Sequence, residues 1–108
     1  MALGVMTWKL PATGPSDRYS ELSQASWVPT TLSQPGVTEF RAYRSQGEGH
    51  IKVRVETEFT SLEFAQQWLN SADYARIKGE LAEHGATEIM EETWDSSSLL
   101  PDPLRPGS

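Results

Sequence analysis

The sequence predicts an α+β fold, a four-stranded antiparallel sheet with helices on one face. Residues 51–59 alternate between apolar and charged or polar side chains, which is typical of a strand with one buried face. Directly after this strand, apolar residues recur at helical spacing from Leu62 to Leu69, behind the N-cap pair Thr60-Ser61. The other segments complete the order β-α-β-β-α-β.

The first third of the chain predicts a central strand and a broken helix. Residues 2–10 carry apolar groups on both faces of an extended chain, as a central strand does. Ser16 is a good N-cap for a helix. Its inward side would hold Tyr19, Leu22, Ala25, Ser26 and Trp27. Because proline cannot continue the hydrogen-bond ladder, Pro29 should kink or interrupt this helix, with a short turn at residues 30–33.

The middle of the chain predicts a hairpin of residues 37–44 and 50–59, joined by a loop with two glycines. The loop leaves the register open. Side chains alternate, so a shift of one residue would exchange the two faces of a strand. We expect Phe40 and Ala42 to share the apolar face of the third strand, because the other register mixes charges into that face.

The last third predicts a second helix and the fourth strand. The helix starts after Ser61, breaks near Asn70-Ser71, resumes, and ends at Gly85 as a C-cap. Residues 86–94 form the fourth strand. This order is that of the ferredoxin-like sandwich. Its second sheet face would carry both charged and apolar side chains, so we expect another chain to cover it.

Composition narrows the function classes. The 108 residues make one domain, which we place at residues 1–98, followed by a proline-rich tail at residues 99–108. The net charge of -6 disfavours nucleic-acid and anionic-membrane partners. The chain has no cysteine, so disulfides and thiolate metal sites are excluded. No apolar run is long enough to span a bilayer, and we expect a cytoplasmic protein.

Three runs of sequence resemble the dimeric α/β-barrel superfamily: PGVTEFRAYRS at 35–45, VETEFTSLEFAQQWLNSADYARIK at 55–78 and GATEI at 85–89. This superfamily includes antibiotic biosynthesis monooxygenases, heme-degrading monooxygenases and stress-responsive barrel proteins. The resemblance implies a homodimer whose two sheets pack face to face. It also implies a small-molecule pocket between the sheet and the helices.

The heme-degrading branch fits the sequence poorly. Trp68 and Ser71 match its second helix, but Lys78 stands where that branch has an iron-ligating histidine. A protonated ammonium cannot ligate iron. The two histidines of the chain lie on different predicted elements, so we expect neither a metal nor another cofactor.

Six residues are candidates for a small-molecule site. Four aromatic side chains could bind the substrate: Trp8, Trp27, Trp68 and Tyr74. The alternative is ordinary packing in the core and at the dimer seam. Lys78 or His84 could hold an enolate or phenolate anion. The alternative for His84 is a solvated helix end, where its charge would interact favourably with the helix dipole.

The predicted function is that of a cofactor-independent monooxygenase, or a related enzyme, acting on a small aromatic or polycyclic substrate. The alternative is a non-catalytic dimeric barrel that binds a ligand or serves in stress response. An RNA-recognition module has the same strand order but needs aromatic residues on the third strand, and residues 49–55 contain none.

Overall fold

The computed structural model of the protein describes residues 1–107. Four strands form one antiparallel sheet in the order β2-β3-β1-β4, which confirms the ferredoxin-like prediction. The strands are β1 (Ala2–Leu10), β2 (Val37–Arg44), β3 (Ile51–Phe59) and β4 (Thr87–Asp95). The α-helices are α1 (Asp17–Leu22), α2 (Val28–Leu32), α3 (Leu62–Leu69) and α4 (Ala72–Glu83). They pack on one face of the sheet, and we term the other face the open face.

Strand β1 lies at the centre of the sheet and divides its side chains between the two faces. It pairs with β3 without interruption from Ala2 opposite Phe59 to Leu10 opposite Ile51. The even-numbered residues of β1 face the helices and join the core, among them Trp8, which is buried. The odd-numbered residues lie on the open face.

The hairpin of β2 and β3 has the predicted register. Phe40 lies opposite Thr57, and Ala42 lies opposite Val55, so both share the helix-covered face of the sheet. A β-bulge near the start of β2 shifts the pairing between Val37 and Glu39. Because the register puts the apolar side chains of β3 towards the helices, its charged residues lie on the open face.

Pro29 does not interrupt the first helical segment, which was one of the two outcomes predicted there; the helical conformation continues through it to Leu32. Residues Ser23–Trp27 form a π-helix, and α2 continues from it with Pro29 in its first turn. The Val28 N–H still donates to the Ser23 carbonyl of the π-helix, and Pro29 follows where the hydrogen-bond pattern changes, so the wider turn accommodates a residue that has no N–H to donate. The wider π-helical turn also changes which residues point inward. Ala25, expected inside, is exposed, while Trp27 and Thr31 are buried.

The second helical segment follows the predicted capping. The Ser61 hydroxyl accepts a hydrogen bond from the N–H of Phe64 and starts α3. After the predicted break, the Ser71 hydroxyl accepts from the N–H of Tyr74 and starts α4. Gly85 follows the end of α4 with φ of 102°, the left-handed conformation that glycine adopts without strain. None of the helices within residues 1–107 is both long and apolar enough to cross a bilayer.

The C-terminal segment leaves the sheet after Asp95. The Ser96 N–H and hydroxyl both donate to the Met1 carbonyl, at 3.0 and 2.9 Å, and fasten this segment beside the start of β1. Further along, Leu99 and Leu104 are exposed. The division into a domain at 1–98 and a tail at 99–108 stays a prediction, and Ser108 lies outside the described residues.

The turn before β2 packs against α3, and Gly36 in this turn provides a test of that contact. Gly36 has φ of 82°, and a Cβ atom there would lie 2.5 Å from Cδ2 of Phe64. Gly14 has φ of 91° but open space around it. We expect Gly36→Ala to lower the free energy of unfolding by about 1–3 kcal/mol more than Gly14→Ala, because both substitutions strain the backbone and only one clashes. Urea unfolding of both variants measures the difference, and equal losses would contradict the packing described.

Candidate functional site

A cavity of about 120 Å³ lies between the sheet and the helices. Its walls come from β1, β2, β3, the first helical segment, α3 and α4. They are largely apolar and aromatic, and the lining residues that carry a hydroxyl are Tyr19, Ser23, Thr31, Thr57 and Tyr74. Among residues 1–107, no carboxylate, histidine, lysine or arginine contributes to this lining. The cavity is therefore suited to a small neutral or weakly polar molecule.

All four aromatic residues singled out from the sequence line this cavity. Trp8, Trp27, Trp68 and Tyr74 are each buried, with no more than 6% of the residue exposed. Trp68 and Tyr74 pack edge to face, with ring centroids 5.3 Å apart. Edge-to-face contact holds both rings in place beyond what burial of their area provides. The structure thus brings these residues together, and their binding of a ligand stays a prediction.

Tyr19 fixes one wall of the cavity and was predicted only as part of the inward side of the helix. The Trp8 indole N–H donates to the Tyr19 hydroxyl at 3.0 Å. The Tyr19 ring also packs edge to face on Trp27 at 5.0 Å. Burial raises the pKa of Tyr19, although the hydrogen bond from Trp8 opposes this shift. This hydroxyl already has a partner and remains protonated.

Trp27 is held at the cavity by the neighbouring helix α4. Its indole N–H donates to Glu80 Oε1 at 2.9 Å, and Arg76 donates to the same oxygen at 3.0 Å. The hydrogen bond from Trp27 is the main reason that the pKa of Glu80 lies below its usual value. Arg76 also donates to Ser26 at 3.3 Å. Glu80 therefore connects the π-helical segment to α4.

Tyr74 carries a hydroxyl with no hydrogen-bond partner among residues 1–107, although the residue is only 2% exposed. Burial, in the first place, raises the pKa of Tyr74 well above its usual value, and the nearby Glu91 carboxyl raises it further. Glu91 makes no hydrogen bond to this hydroxyl within 3.5 Å. A buried polar group without a partner is costly. Tyr74 thus lines the aromatic cavity and carries a protonated hydroxyl that has no partner among residues 1–107 and lies close to the Glu91 carboxyl.

Lys78 and His84, the two candidates for holding an anion, do not line the cavity. The Lys78 ammonium lies 5.1 Å from the centroid of the Tyr74 ring and 3.4 Å from both carboxylate oxygens of Glu91. His84 is the half-buried C-cap of α4. Lys78 thus approaches the cavity only through the Tyr74 ring. The roles of Lys78 and His84 stay predictions that the cavity geometry does not support.

The acidic and histidine side chains do not form a metal centre in the described part of the chain. Within residues 1–107, no group of three or more histidine, aspartate or glutamate side chains comes close enough together to hold a metal ion.

Solved structures with the same fold are found at low sequence identity. A candidate antibiotic biosynthesis monooxygenase from Deinococcus radiodurans has a TM-score of 0.68 and 12% identity, over 91% of this chain and 94% of that chain. SnoaB, a cofactor-independent oxygenase from Streptomyces nogalater, has a TM-score of 0.64 and 13% identity, over 94% and 98%. A protein of the ethyl tert-butyl ether d (ethd) family from Bacillus halodurans has a TM-score of 0.58 and 19% identity, over 85% and 97%.

These neighbours confirm, at the level of the fold, the resemblance to antibiotic biosynthesis monooxygenase-like proteins that the sequence predicts. No protein-family model matches the chain, and no curated protein matches its sequence. Identities below 20% do not carry over a substrate or a reaction, because one fold hosts many functions.

The two cavity tyrosines should respond oppositely when each loses its hydroxyl. Tyr19→Phe leaves the buried Trp8 N–H without an acceptor, so we expect the free energy of unfolding to fall by about 1–3 kcal/mol. Tyr74→Phe removes a hydroxyl that has no partner, so we expect no loss and a small gain. Thermal and urea unfolding of the ligand-free variants measure both changes. A loss at Tyr74 as large as that at Tyr19 would contradict the unpartnered hydroxyl.

Proposed function

We propose that this protein binds a small planar aromatic molecule in the cavity and oxidises it as a cofactor-independent monooxygenase. The observation that carries the proposal is the unpartnered hydroxyl of Tyr74 in a wall of buried aromatic rings. A ligand with a hydrogen-bond acceptor, such as a carbonyl or a phenolate oxygen, would satisfy that hydroxyl. The monooxygenase-like fold supports the same class of chemistry.

The cavity volume limits the size of the ligand. A dry cavity of about 150 Å³ can hold a molecule of benzene, and the cavity here measures about 120 Å³. A single-ring compound is therefore the best match to the cavity. A polycyclic substrate would require the cavity to widen, and the wall formed by Phe40 and Ala42 is the side where the lining is partly solvent-exposed.

The chemistry requires little from the protein. An electron-rich phenol that has lost its proton can react with O2: one oxygen atom enters the ring, the other leaves as water, and the ring itself supplies the electrons and becomes a quinone. The site therefore needs to orient the ring, exclude bulk water and stabilise the anion. Burial raises the pKa of Tyr74, so its hydroxyl stays protonated at neutral pH and can donate to a phenolate oxygen. Trp68 packs on Tyr74 and would restrict the orientation of both rings.

A second candidate function is ligand binding without chemistry. It is favoured by one observation: within residues 1–107 the cavity lining has no carboxylate or imidazole to take a proton from the substrate. Deprotonation would then depend on solvent or on a substrate that is already ionised. Oxygen consumption separates the two candidates, because both predict binding and only the first predicts oxygen uptake.

The homodimer implied by the family resemblance also belongs to this proposal. The open face exposes large apolar side chains, with exposures of 46% for Tyr43, 63% for Met90 and 53% for Trp94. An apolar patch on a sheet is commonly covered by another chain. We infer that a second copy covers it.

Binding through Tyr74 can be tested with a pair of similar ligands. Acetophenone has a carbonyl acceptor, whereas α-methylstyrene has nearly the same shape without one. We expect the protein to bind acetophenone more tightly, and Tyr74→Phe to remove this preference, a loss of about fivefold to tenfold for one neutral hydrogen bond. Tryptophan fluorescence measures the affinities. Tyr43→Phe on the open face is the control and should leave the preference intact.

Oxygen uptake with hydroquinone in the presence of a chelator is measured in the same samples. Uptake that depends on Tyr74 and puts one oxygen atom from labelled O2 into the product supports the oxygenase, because simple oxidation of hydroquinone to benzoquinone only reduces oxygen to hydrogen peroxide. Binding without uptake supports the ligand-binding alternative. If neither ligand bound and no uptake occurred, both candidate functions would be wrong.

The dimer can be tested at the open face. Met90→Lys places a charge on an exposed apolar residue of that face, so we expect it to weaken self-association at least tenfold, as one buried unpaired charge does. Leu32→Lys is the control, since Leu32 is 53% exposed on α2 and away from the open face. Sedimentation equilibrium measures both. A wild-type monomer at micromolar concentration, or equal effects of the two variants, would contradict this interface.

A further inference from the structure

We propose that the C-terminal segment of one copy, residues 96–107, packs in a basic depression on the open face of a second copy and fastens the two subunits together. We term residues 96–107 the arm. The basic depression is defined by Lys9, Tyr43, Lys52, Arg54 and Met90. The proposal rests on the homodimer inferred above and adds to it the occupant of one particular surface.

The basic depression is a concave, partly apolar surface with a volume of about 550 Å³. A single row of paired residues crosses it: Tyr43 lies opposite Arg54, Arg54 opposite Thr7, and Thr7 opposite Met90. The two ends of the row are apolar and exposed, and the charge lies between them. Its surface therefore combines apolar area with positive charge.

The charges of the depression are only partly neutralised by the same chain. Lys9 pairs with Glu88 at 2.5 Å, and Arg54 pairs with Glu56 at 2.8 Å. Lys52 has no carboxylate within 4.0 Å among residues 1–107. An occupant with apolar side chains and at least one carboxylate would complement this surface.

The arm has these properties. Its three leucines are exposed, at 88% for Leu99, 61% for Leu100 and 72% for Leu104. Asp102 lies between them in the sequence, and Arg105 directly follows Leu104, so the arm offers one carboxylate to the depression but carries no net charge over residues 96–107. The arm also contains prolines, which reduce the number of conformations lost when a segment docks in extended form. The leucines would gain burial that their own subunit does not provide.

The arm of the same subunit lies at the other end of the sheet. It starts beside Met1, and Leu100 lies near Leu3 and Trp94. Lys9 of the depression is six residues further along β1 than Leu3, about 20 Å away. The exposure of the leucines shows that the position of the arm beside its own sheet leaves them largely uncovered.

The charge pattern of the open face favours a stacking in which the β1 strands of the two copies run in opposite directions. In that arrangement the arm of one copy lies near the basic depression of the other. One end of the face carries Lys9 and Lys52, which lie opposite each other, and the other end carries Glu39 and Glu58, which also lie opposite each other. Stacking in the same direction would place like charges against each other. The reversed stacking places the basic end over the acidic end. Each arm then starts above the partner's depression.

Cross-linking tests this contact directly, because the chain has no cysteine of its own. Full-length Leu104→Cys and full-length Tyr43→Cys, distinguished by a tag, are co-expressed and oxidised mildly. We expect a disulfide between the two different chains. The control pair, Leu104→Cys with Leu32→Cys, has an equally exposed target on α2 and should give at least tenfold less of this product. Equal yields would overturn the proposal.

A second measurement separates the arm from the dimer itself. We expect the double variant Asp102→Lys, Leu104→Lys, which removes the carboxylate and one apolar anchor and adds two positive charges, to weaken self-association at least tenfold and to leave acetophenone binding unchanged. A dimer of unchanged affinity, together with equal cross-linking yields, would overturn the role of the arm while the dimer stands. A wild-type monomer would overturn both. A disulfide within one chain that carries both Leu104→Cys and Tyr43→Cys would place the arm on its own subunit and contradict the exchange.

Discussion

The hydrogen bond between Trp8 and Tyr19 determines how the first helical segment sits on the sheet. Trp8 lies on the central strand with its indole buried, so its N–H must find an acceptor inside the protein. The Tyr19 hydroxyl is that acceptor, at 3.0 Å. The hydroxyl can reach Trp8 only if α1 crosses the sheet at this point. Trp27 then packs on the Tyr19 ring, and the aromatic wall of the cavity follows from this one contact.

The cavity exists because its aromatic side chains are held apart by polar contacts as well as packed together. Glu80 holds the indole N–H of Trp27 from α4, and the carbonyl of Trp27 accepts from the Thr31 hydroxyl at 2.8 Å. The π-helical segment makes this geometry possible, because its extra residue turns Trp27 towards the sheet and α4. An uninterrupted α-helix over the same residues would direct a different set of side chains inward. A π-helical turn beside a cavity is a common feature of functional sites.

The sequence predicted the strands and the two helices after β3 to within one or two residues, because alternation, caps and glycine C-caps are local signals. It also grouped four of the six aromatic residues that line the cavity within residues 1–107. The sequence did not predict the π-helix. The expectation at Pro29 assumed α-helical hydrogen bonds before the proline and did not consider a wider helical turn there. It could not reveal that Tyr19 has a partner and Tyr74 has none, because both facts depend on contacts between elements far apart in the chain. For the same reason Lys78, though on the helix that contributes Tyr74, lies outside the cavity.

The two faces of β1 explain how one small domain carries both a neutral cavity and a charged open face. On the open face, Val5 is only 2% exposed without any second chain, since it lies between Glu56 and Glu92 in the paired strands. The centre of that face is therefore already shielded, and its uncovered apolar area includes Met90 and Trp94 on the edge strand β4, opposite Thr7 and Leu3 on either side of Val5. Contacts away from the centre of a face depend on the direction in which two copies stack, whereas contacts at its centre do not. The alternation of side chains along β1 separates the side chains of this face from the cavity, because neighbouring residues point to opposite faces.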